Sequence, residues 1–249
     1  MANKRVIVFD LDGTLALSKT MVDACMMVSL WELMQKYKVG VISGASFNQF
    51  MTQFIGSITF PSHAENLYLM PTCGSALYMY DNGWKSIYED LLTDKEKEEI
   101  MTTFKHVIPM LSYGLGTSFG PRLEDRKCQI TFSALGQNAP LEEKSIWDPT
   151  TVKRQELKVL LDQSFNGKYE VRIGGATSVD VTHKGIDKAY GITKLQGFLN
   201  VGNDDMLFIG DALYAGGNDY PVKAMGVDCL SVNSPSETME IIRALLGDN

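Results

Sequence analysis

The stretch VIVFDLDGTLALS, residues 6–18, decides how the rest of the sequence is interpreted. It begins with an uninterrupted apolar run rich in β-branched residues, which is typical of a strand buried on both faces of a parallel sheet. Asp10 and Asp12 follow this run, and Gly13 and Thr14 come next. A buried strand that ends in two carboxylates holds charged side chains rigidly at one edge of a sheet. The stretch therefore predicts both a parallel sheet and a polar site at the end of its first strand.

The elements that follow alternate between helix and strand. Apolar residues at helical spacing predict a helix over 21–37, and residues 38–46 predict a strand and a turn. The alternation stops in the middle of the chain, resumes near residue 184 and continues to a last helix over 236–246. Right-handed crossovers place strands connected in this way in one sheet. The two ends of the chain are therefore expected to form one doubly wound domain.

A different pattern occupies the middle of the chain. A hairpin that turns at Asn82-Gly83 leads into strands and helices that lack the strand, helix, strand order. The predicted elements there are helices over 93–111 and 150–164 and strands over 128–135, 169–173 and 178–183. Such an order is typical of an α+β module with an antiparallel sheet. The expected fold class is α/β, with a doubly wound parallel-sheet (Rossmann-like) core over residues 1–82 and 185–249 and an inserted α+β domain over residues 83–184.

Composition excludes several classes of function. The net charge is −7 and the Lys and Arg residues form no basic stripe, so no nucleic-acid partner is expected. No apolar run is long enough to cross a membrane or to act as a signal peptide, which predicts a cytoplasmic protein without a membrane partner. The four cysteines are far apart and lack any CxxC pair, so they are expected to be reduced thiols of the core. The 13 methionines are interpreted as core residues, although a Met-rich helix face also suits a homodimer interface.

Polar groups cluster at the predicted carboxyl ends of the strands, where ligands bind in open parallel sheets. The groups are Asp10 with Asp12, Ser43 with Gly44, Lys188 at a helix start, and Asp211 with Asp219. Each alone is more simply interpreted as a turn residue, a helix cap or a solvated charge. Their convergence predicts a site, and carboxylates gathered in one cleft require a cation. Hard oxygen ligands suit Mg²⁺, which is the expected cofactor.

These residue types fit phosphoryl transfer. The carboxylate of Asp10, held at the metal, can attack a phosphoryl group and form an aspartyl-phosphate. Asp12, two residues further on, can protonate the leaving oxygen and later activate water. Ser43 and Lys188 can hold the phosphoryl oxygens, one by a hydrogen bond and one by its charge. The sequence therefore predicts these four residues as the catalytic set.

Three other functions fit parts of this pattern. A receiver domain of a response regulator also joins acidic residues, a hydroxyl and a lysine on such a sheet, but this chain is much longer and carries an insert. A dinucleotide-binding oxidoreductase needs a GxGxxG turn after the first strand, which DLDGTL does not supply. A non-catalytic phosphosugar-binding protein stays open as a minor alternative, although such a protein would be expected to lose Asp10 or Asp12.

The four clusters, taken in order, resemble the motifs of the haloacid dehalogenase superfamily. FDLDGT is similar to its first motif, VISGAS to its second, Lys188 in GIDKAYGI to its third and GDALYAGGND to its fourth. The resemblance implies that Asp10 is the nucleophile and Asp12 the acid and base. It also implies a Mg²⁺ ion bound by Asp10, the carbonyl of Asp12 and Asp211. Asp219 would support this metal site, and the insert resembles the type IIB cap domain of the superfamily.

The insert is further similar to that of the eukaryotic-type phosphomannomutases. The segment RKCQITFSALGQNAPLEEK keeps the frame of three arginines in that family, with Arg126 at the first position, Gln137 at the second and Lys144 at the third. GGATSVDVTHKGIDK is similar to a segment of that family that binds sugar or phosphate. The family also has a phosphate-binding Arg just after the first motif, and this chain has Lys19 there. Together with the second motif, the resemblance implies these substrate-binding residues: Lys19, Gly44, Arg126, Gln137, Lys144, Ser178 and Asp180.

Departures from this family bear on the reaction. A mutase must hold a second phosphate while the sugar turns over, and the forked guanidinium of Arg does this better than Lys, while Gln137 supplies no charge. The fourth motif also departs, with Gly210-Asp211-Ala212 where these mutases have Gly-Asn-Glu. The sequence therefore favours a Mg²⁺-dependent sugar-phosphate phosphatase. The alternative is a phosphomannomutase that interconverts mannose 6-phosphate and mannose 1-phosphate, and in either case the expected partner is a small sugar phosphate.

Overall fold

The computed structural model describes residues 4–17, 20–55 and 63–247. The strands in this part of the chain are β1 (Val6–Asp10), β2 (Lys38–Ile42), β3 (Leu67–Met70), β4 (Ala76–Tyr80), β5 (Trp84–Glu89), β6 (Leu123–Asp125), β7 (Gln129–Ser133), β8 (Tyr169–Ile173), β9 (Ser178–His183), β10 (Met206–Gly210) and β11 (Asp228–Ser231). The α-helices are α1 (Ala24–Met34), α2 (Phe47–Phe50), α3 (Asp94–Val107), α4 (Leu141–Trp147), α5 (Val152–Phe165), α6 (Lys188–Leu199), α7 (Tyr220–Ala224) and α8 (Pro235–Leu246). They divide into two compact units, Met1–Glu89 with Asp187–Asn249 and Asp90–Ile186.

The first unit is built on a seven-stranded sheet in the order β11-β10-β1-β2-β3-β4-β5. The strands from β11 to β3 run parallel, and β4 and β5 are added as an antiparallel hairpin. β1 is the middle one of the five parallel strands and is buried along its whole length, as its unbroken apolar run predicted. On one face of the sheet, Val8 and Phe208 pack with Ile192 and Leu195 of α6. This arrangement confirms the predicted doubly wound α/β core.

The second unit is a four-stranded antiparallel sheet in the order β6-β7-β9-β8. Helices α3 and α5 cover one face, where Phe104 stacks on Phe132 with ring centroids 5.4 Å apart. Burying one such ring stabilises the unit by about 1.5–3 kcal/mol relative to leaving it exposed. Alternation along β7 and β9 sends the polar side chains to the opposite face: Gln129, Thr131, Ser133, Ser178, Asp180 and Thr182. The predicted α+β insert is therefore observed, with one apolar and one polar face.

The boundaries between the units differ from the predicted ones. The sequence placed them after residues 82 and 184, whereas the structure places them after Glu89 and Ile186. β5 belongs to the first unit because it pairs with β4 in the large sheet. The second boundary moves because the side chain of Asp187 caps α6 by accepting a hydrogen bond from the Tyr190 N–H, which joins it to the first unit.

Several local predictions also need correction. β6 and α4 were not predicted, because β6 has only three residues and α4 only seven. The helix predicted over 93–111 is capped by Thr93, but α3 ends at Val107, and a 3₁₀ turn that contains Pro109 follows at Ile108–Met110. The described cysteines form no disulfide, yet of the four only Cys128 is buried, and Cys25 is exposed.

Among the described residues, none of the helices combines the length and the apolar character that a membrane span requires.

Candidate active site

The register of the large sheet brings three of the predicted residues to one edge. Asp10 ends the central strand β1 and lies beside Ile42 of β2, so Ser43 follows at the end of the neighbouring strand. On the other side, Phe9 pairs with Ile209 of β10, which places Asp211 just past the end of that strand. The carboxyl ends of three adjacent parallel strands thus deliver Asp10, Ser43 and Asp211 to the same edge.

Lys188 joins this group from the first position of α6. Its Nζ donates hydrogen bonds to Asp10 Oδ1 and to Asp219 Oδ1, each at 2.5 Å. The lysine side chain is 1% exposed, and the side chains of Asp10 and Asp219 are 5% and 0% exposed. We call these three residues the Lys188 cluster. Its two carboxylates are held without solvent screening, and the ammonium of Lys188 faces both of them.

The electrostatics of the cluster follow from burial and from an excess of negative charge. Burial, with Asp219 and Asp211 adding to it, raises the pKa of Asp10 well above its ordinary value, against the opposing attraction of Lys188. Burial also raises the pKa of Asp211, and the charge of Asp219 adds to that effect. Burial alone would lower the pKa of Lys188, but the two neighbouring carboxylates outweigh it and raise that pKa. The site therefore holds a lysine that stays charged and carboxylates that are short of cations.

The turn after β1 is tight, and Gly13 is required in it. The N–H of Gly13 donates to the carbonyl of Ala16 at 2.7 Å, and the carbonyl of Leu11 accepts from both Leu15 and Ala16. Gly13 has a φ of +86°, and a Cβ at this position would lie 2.4 Å from Asp211 Oδ2. A side chain at position 13 would therefore displace Asp211, as well as strain the backbone. Asp12 is half-buried within this turn.

The loop after β10 folds back to bring Asp219 into the site. Asp219 Oδ2 accepts from the Ala212 N–H at 3.0 Å, and the Asp219 N–H donates to the Ala212 carbonyl at 3.3 Å. Gly210 permits this approach, because a Cβ there would lie 2.4 Å from Asp219 Oδ2. The sequence predicted the residues of this loop but not the glycine contact that closes it.

The donor set suits a hard divalent cation. Asp10, Asp211 and Asp219 each offer a carboxylate oxygen, and these oxygens lie within 4.8 Å of one another. Mg²⁺ prefers carboxylate oxygen ligands together with water and phosphate. The raised pKa values of Asp10 and Asp211 point the same way, since a cation would remove the repulsion that favours their protonated forms.

Ser43 sits in a buried turn at the end of β2. Its hydroxyl oxygen accepts a hydrogen bond from the Ala45 N–H at 3.1 Å, which leaves the hydroxyl proton available to donate. Ser43 is 3% exposed, and the following Gly44 is partly exposed. Ser43 can therefore offer its hydroxyl to an anion at the edge of the sheet.

The second unit carries the residues of the insert that were predicted to bind substrate. Ser178 and Asp180 lie on the polar face of the sheet, where Asp180 Oδ1 accepts from the Thr131 hydroxyl at 2.7 Å. Arg126 donates from Nε and Nη2 to Glu124 Oε2, at 2.9 and 2.7 Å. Thr131 and Glu124 were missed by sequence reasoning. The polar and apolar alternation of β7 was a usable signal for Thr131, while nothing in the sequence pattern marked Glu124.

Gln137 and Lys144 come together in the same unit. Lys144 is 7% exposed, and its Nζ donates to the backbone carbonyl of Gln137 at 3.3 Å. Gln137 Nε2 is buried and has no hydrogen-bond partner among the described residues. A lysine ammonium and an unsatisfied amide donor therefore stand where the resemblance implied two arginines. Lys19 lies outside the described residues.

Comparisons with known proteins agree over nearly the whole chain. The sequence model of the family described as eukaryotic phosphomannomutase matches residues 26–248. The chain belongs to this family. It is 28% identical to a phosphomannomutase of Spinacia oleracea, over 96% of each chain. It is 27% identical to one of Encephalitozoon cuniculi, over 94% of this chain and 91% of that protein.

Solved structures show the same fold. The IMP-nucleotidase of Plasmodium falciparum, in an N-terminally truncated form, superposes with a TM-score of 0.71 at 18% identity, covering 99% of this chain and 71% of that one. A haloacid dehalogenase-like hydrolase from Bacteroides thetaiotaomicron gives a TM-score of 0.64 at 14% identity, covering 97% and 99%. At these identities the likeness concerns the fold alone. Membership of the phosphomannomutase family, on a haloacid dehalogenase fold, confirms the prediction of an enzyme of phosphoryl transfer, either a phosphatase or a phosphomannomutase.

Proposed function

We propose that the protein transfers the phosphoryl group of a sugar phosphate through Asp10, and that it interconverts mannose 6-phosphate and mannose 1-phosphate. The observation that carries the proposal is the Lys188 cluster, a buried ammonium shared by two carboxylates at the end of the central strand. The names of the relatives, aligned over nearly the whole chain, favour the mutase over the phosphatase that the sequence favoured.

In the first step Asp10 acts as the nucleophile. One of its carboxylate oxygens attacks phosphorus, a new oxygen–phosphorus bond forms, and the bond from phosphorus to the sugar oxygen breaks. Asp12 donates a proton to the departing sugar oxygen. Lys188 donates a hydrogen bond to Asp10, and its charge opposes the burial that raises the pKa of this carboxylate. The Ser43 hydroxyl and the Gly44 N–H stabilise the charge on the phosphoryl oxygens.

A magnesium ion would be held by the carboxylates of Asp10, Asp211 and Asp219, whose oxygens cluster. The sequence resemblance adds the carbonyl of Asp12. Such an ion supplies positive charge that lets a phosphoryl dianion approach a carboxylate. The residues of this chain do the remaining work of attack, proton transfer and orientation.

The second step differs between a mutase and a phosphatase. In a mutase, the phosphoryl group of the aspartyl-phosphate passes to a hydroxyl of a sugar monophosphate, and Asp12 takes the hydroxyl proton. The resulting bisphosphate must then turn round and return its other phosphoryl group to Asp10, while Asp12 protonates the departing sugar oxygen and the isomeric monophosphate is released. The phosphate that does not react must be held meanwhile. Arg126 and Lys144 in the second unit are the cations that the sequence resemblance assigns to such a phosphate, together with the Gln137 amide, which is a donor without a partner in the described residues. Ser178 and Asp180 would bind sugar hydroxyls.

A sugar-phosphate phosphatase is the second candidate, and Gln137 is the observation that favours it. A neutral amide holds a phosphate dianion less strongly than a guanidinium fork does. Arg126 is in addition paired with Glu124, so that a phosphate would have to compete with a carboxylate for it. In a phosphatase, Asp12 would deliver water to the aspartyl-phosphate, and no second phosphate would be needed.

The experiment measures both reactions on the purified protein with Mg²⁺. Mannose 1-phosphate and mannose 6-phosphate are supplied separately, with and without hexose 1,6-bisphosphate, and both interconversion and phosphate release are followed. Bisphosphate-dependent interconversion that outpaces release supports the mutase. Release without interconversion establishes the phosphatase instead. The Asp10→Asn variant is the control, and turnover of neither kind on a wider panel of sugar phosphates overturns the proposal.

A further inference from the structure

The turn that follows β3 has an unusual backbone. Thr72, Cys73 and Gly74 are three consecutive residues in the left-handed region, with φ values of +50°, +58° and +82°. Side chains other than glycine rarely adopt this conformation, and a β-branched residue such as Thr72 adopts it least readily. Such strain persists only where the surroundings enforce it, and it concentrates at functional sites. The contacts of this turn show what enforces it.

One side of the turn holds the segment that contains Ser43. The N–H of Cys73 donates to the carbonyl of Ser43 at 2.8 Å, and the N–H of Thr72 donates to the carbonyl of Ala45 at 2.9 Å. Successive N–H groups point to the same side when the backbone is helical or left-handed, and the left-handed backbone of this turn directs both N–H groups to the Ser43 segment. The two bonds clamp the residues on either side of Gly44, which fixes the direction of the Gly44 N–H.

Hydrogen bonds from Ser75 stabilise the turn itself. The hydroxyl of Ser75 donates to Thr72 Oγ1 at 2.6 Å and lies 2.9 Å from the Thr72 carbonyl. Both residues are buried, at 0% and 2% exposed, so these bonds are shielded from water. The left-handed conformation of Thr72 is therefore stabilised by Ser75, three residues later, as well as by the Ser43 segment.

The other side of the turn holds the helix that begins with Lys188. Gly74 and Gly191 meet backbone to backbone, since a Cβ on Gly74 would lie 2.4 Å from the Gly191 Cα. A Cβ on Gly191 would in turn lie 2.9 Å from the Gly74 Cα and 2.7 Å from Ile42 Cδ1. Gly191 is one helical turn after Lys188 on α6, so this contact fixes the depth at which Lys188 enters the site.

We propose that the left-handed turn Thr72–Gly74 is a positioning element that sets both the Ser43–Gly44 segment and Lys188 relative to Asp10. Cys73 and Gly191 are then positioning residues of the phosphoryl transfer, an inference that rests on the function proposed above. All of these contacts lie within the first unit. A rigid turn that touches both elements keeps the groups that bind phosphoryl oxygens in register with the nucleophile.

The decisive test compares Gly191→Ala with Gly197→Ala. Both substitutions replace a glycine of α6 by the best helix former, so propensity alone would stabilise the helix in each. A Cβ at position 197 meets no atom of the described residues within 4 Å, whereas one at position 191 meets the Gly74 backbone. We expect kcat to fall by about 10- to 100-fold in Gly191→Ala, with KM changed much less, because a shift of about 1 Å in a catalytic group has an effect of this size. Gly197→Ala should keep the wild-type kcat.

A second pair of variants covers the case in which Gly191→Ala does not fold. Cys73→Asn places a residue that tolerates positive φ in the turn, whereas Cys73→Val places a β-branched residue that does not. Both variants lack the thiol, so a difference between them cannot come from its loss. We expect kcat to fall in Cys73→Val and to be largely retained in Cys73→Asn. Equal kcat values in the two variants, or a Gly191→Ala enzyme as active as Gly197→Ala, overturn the proposal.

Hydrogen exchange separates this inference from the proposed function. The N–H groups of Thr72, Cys73 and Ala45 report on the clamp, and that of Gly191, bonded to Asp187, reports on α6. In Gly191→Ala both sets should exchange faster than in Gly197→Ala. This readout needs no substrate, so a wild-type protein inactive on every sugar phosphate refutes the function while exchange still decides the positioning. Faster exchange confined to α6 contradicts the coupling.

Discussion

Two buried ionic clusters, one in each unit, show how a site differs from a structural ion pair. In the second unit, Arg154 and Asp148 are 6% and 4% exposed, and we call this pair with the Gly175 carbonyl the Arg154 cluster. Arg154 Nε donates to Asp148 Oδ2 at 2.9 Å, and Nη1 donates to the Gly175 carbonyl at 2.7 Å. One cation meets one carboxylate, and the remaining donors are satisfied by backbone oxygens. In the Lys188 cluster, one cation serves two carboxylates, with Asp211 close by.

The pKa values respond in opposite directions. Burial alone would raise the pKa of Asp148, but the hydrogen bonds from Arg154 and from the Lys153 N–H, with the charge of Arg154, lower it below its ordinary value. The pKa of Asp10 is instead raised, because burial and the neighbouring carboxylates outweigh Lys188. Burial of charge is thus common to both clusters. The uncompensated negative charge distinguishes the Lys188 cluster and supports the proposal that it holds a cation and the nucleophile.

The largest effect is expected from Asp10→Asn. The carboxamide keeps the shape of the side chain but is not a nucleophile, so phosphoryl transfer should fall by about 10³-fold or more. The thermal midpoint should not fall, because the substitution removes one of the carboxylates that compete for Lys188. Steady-state turnover and a calorimetric scan measure the two quantities. Turnover close to wild type would show that Asp10 is not the nucleophile.

Removing each cation by substitution with Met contrasts the two clusters directly. Lys188→Met leaves the buried carboxylates of Asp10 and Asp219 uncompensated, and Arg154→Met leaves that of Asp148. Each substitution should lower the free energy of unfolding by about 3–5 kcal/mol. Only Lys188→Met should also lower kcat per folded molecule, by about 10²-fold, because it loses a charge at the phosphoryl group. Urea unfolding measures the free energy of unfolding of both variants, and turnover divided by the concentration of folded protein measures their kcat. A similar loss of kcat in Arg154→Met would remove the distinction between site and structural pair.

The sequence was sufficient to predict the residues of the candidate site that lie at strand ends. A buried apolar run marks a central strand, and the polar residue after each strand marks the edge where Asp10, Ser43 and Asp211 meet. It was not sufficient to predict the contacts of Lys188. The sequence assigned this lysine to phosphoryl oxygens, and in the structure it also donates a hydrogen bond to Asp219. Which of two carboxylates a lysine reaches depends on the fold of the loop after β10, and no local pattern encodes that distance.

The left-handed turn was missed for a related reason. The segment PTCGS contains a glycine, which allows a turn, but nothing in it shows that Thr72 and Cys73 also adopt positive φ. Their conformation is imposed by hydrogen bonds to residues about thirty positions earlier in the chain and by contact with α6. The sequence pattern also does not predict the ion pair between Arg126 and Glu124. Glu124 lies in a strand of only three residues, which is too short to recognise, and Arg126 follows its end.

Metal binding should act on the Lys188 cluster and its neighbour Asp211. Mg²⁺ at about 100 times its dissociation constant should stabilise the wild-type protein by about 2.7 kcal/mol. The stabilisation should be largely lost in Asp211→Asn and kept in Asp228→Asn, which changes an exposed carboxylate on β11 that pairs with Lys4. Thermal shifts with Mg²⁺ and with a chelator measure this. Equal shifts in the two variants would place the ion elsewhere.

The smallest effect concerns charge in the second unit, and it bears on mutase against phosphatase. Gln137→Arg would add a guanidinium beside the buried Lys144, whose Nζ already lies 3.3 Å from the Gln137 carbonyl. Two adjacent cations repel each other until an anion separates them, so the variant should gain affinity for a second phosphate at some cost in stability of the free protein. We expect the apparent affinity for hexose 1,6-bisphosphate to rise by about 3- to 10-fold, since 1.4 kcal/mol is tenfold. Gln155→Arg adds the same charge to an exposed position of α5 and is the matched control. A gain no larger than in that control means that the second phosphate does not reach Gln137, and the chain then has the charge distribution of a phosphatase.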